Sequence, residues 1–98
     1  MERPMPWKVT SFEPTPNPNA LKCLLDRPVL APGEPPRSYR RASESDADPL
    51  ASALFAVEPT GSVVCVLIGP DWITVNRAPG AEWSKVKKGV RDALARAG

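Results

Sequence analysis

The stretch SVVCVLIGPDWITV, residues 62–75, commits the chain to an antiparallel sheet. Its apolar run, Val63 to Ile68, is short and rich in β-branched residues, which predicts a strand buried on both faces. Gly69-Pro70-Asp71 then turns the chain, because proline suits the second position of a turn and aspartate the third. WITVN returns as the antiparallel partner, with Ile73 and Val75 facing inward. This is one hairpin.

A second hairpin is predicted near the start. WKVTSFE, residues 7–13, has the aromatic and β-branched content of a short strand. PTPNPN stops it, since Thr15 and Asn17 each precede a proline and are pushed away from helix. Asn17 and Asn19 bond nearby backbone through their amides and tolerate a left-handed conformation. ALKCLLD then alternates: Leu21, Cys23 and Leu25 face one way, and Ala20, Lys22 and Leu24 the other. That is a half-buried strand.

The chain has thirteen prolines, most of them before residue 50, so the first half is expected to be loop-rich. PGEPPRSYRRASESDAD, residues 32–48, reads as a long exposed loop with a basic cluster (Arg37, Arg40, Arg41) and an acidic end. A short edge strand is expected around Ser38 to Arg41. Asp48-Pro49 is a helix start, an N-cap followed by proline at the first helical position. The helix runs through PLASALFAV and ends before Pro59, with Leu50, Leu54 and Val57 on one stripe and Phe55 beside it. Gly61 leads back into the sheet.

EWSKVKKGVRDALARAG, residues 82–98, spaces Trp83, Val86, Val90, Ala93, Leu94 and Ala97 as one face of a helix. The opposite face carries Lys85, Lys87, Lys88, Arg91 and Arg96. Glu82 in the first turn and Arg96 in the last suit the helix dipole. The order is strand–strand–helix–strand–strand–helix: an α+β two-layer sandwich of two β-hairpins with two helices on one face. Its 98 residues read as one domain.

Function is narrowed first by what is missing. The chain contains no histidine, which removes the commonest general base and metal ligand and every Ser/His or Cys/His pair. No glycine-rich phosphate loop or paired carboxylates stand out, so no enzyme and no bound cofactor are expected. Glu44, Asp46 and Asp48 read as solubilising and capping residues. The two cysteines, Cys23 and Cys65, lie in apolar runs and read as core residues of a reducing compartment. With no apolar leader and no run long enough for a membrane span, a cytoplasmic location is expected.

Four pieces of this sequence, in this order, carry a resemblance. TPNPNALKCLLDRPVL (15–30), DPLASALFAV (48–57), GPDWITV (69–75) and EWSKVKKGVRDAL (82–94) resemble the N-terminal domain of Nfu/NifU-like proteins, from Val9 to about Leu94. Those proteins assist iron–sulfur cluster assembly. The family holds its cluster on a Cys-x-x-Cys pair in a separate C-terminal domain, and this chain has no such pair. Cys23 stands where the family more often has an aromatic core residue, and Cys65 where a small residue is usual. The resemblance therefore implies a non-catalytic adaptor that docks an iron–sulfur carrier or client protein.

The residues exposed for that task are of two kinds. Asn17 and Asn19 display amides on a stiff turn, and Gly69 and Asp71 form the other turn; the two would make one polar rim if they lay at the same end of the sheet. Lys85, Lys88 and Arg91 offer a basic helix face. The alternatives are a weak iron or cluster binder using Cys23 and Cys65 in a dimer, which must find the four thiolates a cluster normally takes, and a basic-surface nucleic-acid module. Against the last, the net charge is only +2 and few aromatics are free to stack bases.

Overall fold

The computed structural model describes residues 7–58 and 60–96. Ala97 on the predicted apolar stripe, the Pro59 that was to end the first helix and the segment before Trp7 lie outside the described residues. Five strands, β1 (Val9–Pro14), β2 (Ala20–Leu25), β3 (Arg37–Tyr39), β4 (Val63–Ile68) and β5 (Trp72–Arg77), form one antiparallel sheet in the order β1-β2-β5-β4-β3. Helices α1 (Pro49–Phe55) and α2 (Trp83–Arg96) cover one face of it.

Both hairpins form as the alternation predicts. They join through β2 and β5, where Leu21 pairs with Val75 and Cys23 with Ile73. The fifth strand is the short edge element expected in the long loop, shifted to Arg37–Tyr39 and paired with β4. That loop is more ordered than its composition implies. It also holds a 3-10 turn at Ala42–Ser45, with Ser45 and Asp48 buried.

Paired residues of an antiparallel sheet point to the same side. Leu21, Cys23, Ile73, Val75, Val66 and Ile68 thus share the face that meets Leu50, Leu54, Val86, Val90 and Leu94. The other face carries Lys22, Leu24, Trp72, Thr74 and Leu67, all half-buried. This corrects the expectation for Val63–Ile68. The strand is covered on one face, and Val64 is 42% exposed beside a bulge between Val63 and Cys65. An unbroken apolar run reads the same whether one layer of helices covers it or two.

Helix α1 starts as predicted: Asp48 Oδ1 accepts from the Ala51 N–H at 3.1 Å, and Pro49 occupies the first turn. It ends at Phe55, earlier than the expected Val57, which is nonetheless buried. The start and end of the domain meet, with the Trp7 N–H donating to Leu94 O at 3.2 Å. The Trp7 indole donates to Pro28 O at 3.0 Å.

Candidate docking surface

The Pro-Asn-Pro-Asn turn is built from its own side chains. Asn17 Oδ1 accepts from the Asn19 N–H at 2.9 Å, and Thr15 Oγ1 accepts from the Asn17 N–H at 3.2 Å. No described non-glycine residue has positive φ, so the asparagines act as side-chain acceptors and not as left-handed residues. Asn19 is tied further: its Oδ1 accepts from Arg77 Nε at 3.2 Å and its backbone O from the Arg77 N–H at 2.8 Å. Arg77 in turn lies 4.8 Å from the Trp83 ring centroid and donates to Ala81 O. The turn therefore anchors the entry into α2.

Gly69-Pro70-Asp71 lies at the opposite end of the sheet. The backbone oxygens of Pro70 and Asp71 accept from the N–H groups of Val29 (2.7 Å) and Leu25 (3.0 Å). A Cβ on Gly69 would fall inside the Trp72 ring, so glycine lets that ring fold back over the turn. Register explains the separation: β2 and β5 are antiparallel, and Ala20 beside the first turn pairs with Asn76, far from Gly69. Asn17, Asn19, Gly69 and Asp71 thus form no common rim.

The basic face of α2 is also divided. Lys87 Nζ and Arg91 Cζ sit 5.3 and 4.8 Å from the Phe12 ring centroid, spreading over β1 as a cover for that aromatic. Lys85, Lys88 and Arg96 turn the other way, towards α1. Ion pairs at one-turn spacing join Lys85 to Glu82 (3.6 Å) and Lys88 to Asp92 (2.9 Å).

Between α1 and α2 runs a groove of about 1040 Å³. Leu50, Ala53, Val57, Gly89 and Ala93 supply apolar lining, Trp7 and Val29 contribute to the walls, and Lys85, Lys88 and Arg96 stand among the α2 side chains. Gly89 brings the two layers close, because a Cβ there would overlap the Val57 side chain. Arg37 and Asp48 also line the groove, joined by an ion pair of 3.0 Å. Sequence reasoning found Lys85 and Lys88 but missed the groove. The available signal was a lone glycine inside an amphipathic helix.

The two thiols lie on opposite faces of the sheet. Cys23 is fully buried among core residues, and burial pushes its pKa up to about 12, although Lys87 and Arg91 pull it partly back. Cys65 pairs with Asn76 on the outer face and is half-buried, which corrects the expectation that both cysteines sit at the core. Among the described residues, no group of three or more potential metal-ligating side chains is clustered. No described helix is long and apolar enough to cross a membrane.

Residues 9–97 match the family described as "Scaffold protein Nfu/NifU N terminal". The chain belongs to this family. It is 40% identical over 73 residues to the mitochondrial NFU1 iron–sulfur cluster scaffold homologue of Drosophila ananassae, covering 74% of this chain and 24% of that protein. It is 36% identical over 75 residues to a NifU-like protein of Schizosaccharomyces pombe, covering 76% of this chain and 28% of that one. The chain thus spans about a quarter of the length of the curated relatives it matches. The solution structure of a NifU-like protein from Saccharomyces cerevisiae superimposes with a TM-score of 0.78 at 25% identity, over 98% of this chain and 82% of that one. This Nfu N-terminal domain has the α+β sheet-and-helix fold expected from its sequence.

Proposed function

We propose that this Nfu N-terminal domain is a non-catalytic docking module in iron–sulfur cluster assembly, holding a cluster carrier or client protein in the α1–α2 groove. The observation that carries the reading is the groove itself, an apolar trough with cationic side chains on its α2 wall. Apolar surface of this kind, bordered by polar groups, marks interaction sites on small soluble domains. Its relatives' names place them among iron–sulfur scaffolds, which supplies the partner class. On this reading Lys85 and Lys88 contact the partner. Asn17, Asn19, Gly69 and Asp71 build turns, and Arg91 covers Phe12.

The cluster is cargo of the partner, and this domain supplies no ligand to it. A site drawing on both thiols would have to bring Cys23 out of the core. Two free cysteines also suit a reducing compartment, and the cytoplasm is the location this reading carries. The Drosophila relative is named as mitochondrial.

The test is a nitrogen-15 NMR titration of the domain with a cluster-loaded Cys-x-x-Cys carrier domain and with an apo ferredoxin as client. Shifts at Ala53, Val57, Lys85, Lys88 and Gly89 are expected with one of them. If both leave these amides unmoved at concentrations up to about 1 mM, where even weak docking registers, the reading is wrong.

A further inference from the structure

The two walls of the groove differ in charge. From Pro49 to Val57 the α1 side contributes no charged side chain, and Glu58 stands beyond its end. The α2 side contributes three cations, Lys85, Lys88 and Arg96, against one anion, Asp92. Lys85 and Lys88 are paired with Glu82 and Asp92, but with 62% and 78% of their side-chain surface exposed these are weak surface pairs that a partner's carboxylates can displace. The floor between the walls is made of small and aliphatic groups, Ala53 and Ala93 among them, and the space over Gly89 is taken by the Val57 side chain.

Backbone chemistry selects the shape of the occupant. Both walls are helices, the fourteen-residue α2 and the seven-residue α1, and along α2 the interior N–H and C=O groups are paired along the helix axis. An extended peptide laid between them would meet a strand edge only at the three-residue β3, through Arg37, and would leave most of its backbone polar groups unpaired on an apolar floor. A helix brings its backbone bonds with it. From Lys85 to Arg96 the α2 wall rises about 16 Å, enough to flank about three turns.

We infer that the groove takes an amphipathic helix of the partner, with a small-to-medium apolar stripe on the floor and acidic residues along the edge facing α2. This rests on the docking reading above and narrows it to one recognition mode. Acidic side chains spaced by one helical turn would meet Lys85 and Lys88, which are themselves three residues apart on α2. The apolar stripe supplies the affinity, and the charges choose among helices of similar apolar content.

Two helical peptides of about twelve residues test this, alike in their Leu/Ala stripe, one with a glutamate edge and one with lysines in its place. Nitrogen-15 NMR titration of the whole domain should move the amides of Ala53, Val57, Lys85 and Gly89 with the glutamate peptide. The lysine peptide should bind about fivefold or more weakly, the difference expected of two partly exposed ion pairs. In the Lys85→Glu, Lys88→Glu variant, whose changes lie on exposed positions, the preference should reverse. Equal binding of the two peptides, binding of neither, or shifts confined to Lys22, Trp72 and Thr74 on the outer face would each overturn the inference. If the carrier or client protein still maps to the groove in that case, only the acidic-helix assignment fails. If the glutamate peptide binds there while the carrier and client do not, the inference stands and the iron–sulfur docking reading fails.

Discussion

The Tyr39 hydroxyl donates to Asp48 Oδ2 across 2.7 Å, fastening the edge strand β3 to the first turn of α1. The same carboxylate oxygen receives Arg37 at 3.0 Å, while Oδ1 caps the helix through the Ala51 N–H. One buried side chain therefore ends a loop, starts a helix and holds a strand of three residues that backbone pairing alone would secure poorly.

Replacing Asp48 should expose that dependence. Asp48→Ala removes the cap and leaves Arg37 and Tyr39 without their acceptor, at an expected cost of about 3 kcal/mol. Asp48→Asn keeps an oxygen for the Ala51 N–H and should lose less. Urea unfolding of both variants measures the difference; equal losses would mean that the cap oxygen contributes nothing, and no loss in Asp48→Asn that the charge contributes nothing.

The Tyr39–Asp48 bond also predicts a pH dependence. The hydrogen bond to Asp48, with burial adding to it, raises the Tyr39 pKa above its ordinary value of 10.0. The folded state therefore keeps the phenol proton at pH values where the unfolded chain releases it. The resulting stability is complete below about pH 10 and is lost as pH rises through the folded pKa. Tyr39→Phe should flatten this alkaline decline in a series of denaturation curves, and an unchanged slope would assign it to other groups.

The thiols should differ sharply in reactivity. Cys65, half-buried on the outer face, should react with a disulfide reagent in the native protein, whereas Cys23 should react only after unfolding. The reactive species is the thiolate, which burial suppresses at Cys23. Counting released chromophore before and after adding guanidinium checks this. Rapid native modification of Cys23 would show that the core opens around β2.

Gly89→Ala should destabilise the domain even though alanine is the better helix former. The added Cβ meets the stiff Val57 side chain, and overpacking of this kind costs about 1–3 kcal/mol. In a Val57→Ala background the same change should become neutral or stabilising. A double-mutant cycle reads the coupling, and additive effects would refute the contact.

Local patterns carried much of the fold. Alternation in ALKCLLD placed Leu21, Cys23 and Leu25 on the core face, and Asp48-Pro49 marked the start of α1. What escaped the sequence was non-local. Whether the Asn17 and Asp71 turns share an end depends on which strands the two hairpins use to meet, and no residue in either turn encodes that. The outer-face position of Cys65 follows from alternation with the inward Val66 and Ile68, but an unbroken apolar run does not show that only one of its faces is covered. Lys87 and Arg91 looked like a solvated basic face because Phe12 lies some seventy-five residues away in sequence and only the folded sheet brings it under them. The groove needed two helices on one layer, and its partners Ala53 and Gly89 are too small to attract notice.

The bond between the Trp7 N–H and Leu94 O bears on how this domain would be carried. Polypeptide running on from both sides would leave from neighbouring points, so the domain would hang from its tether as a pendant and add little to the tether's reach. Tension applied at those two points would draw first on that stitch, and then on the edge strand β1 and on helix α2, the elements that carry the two points.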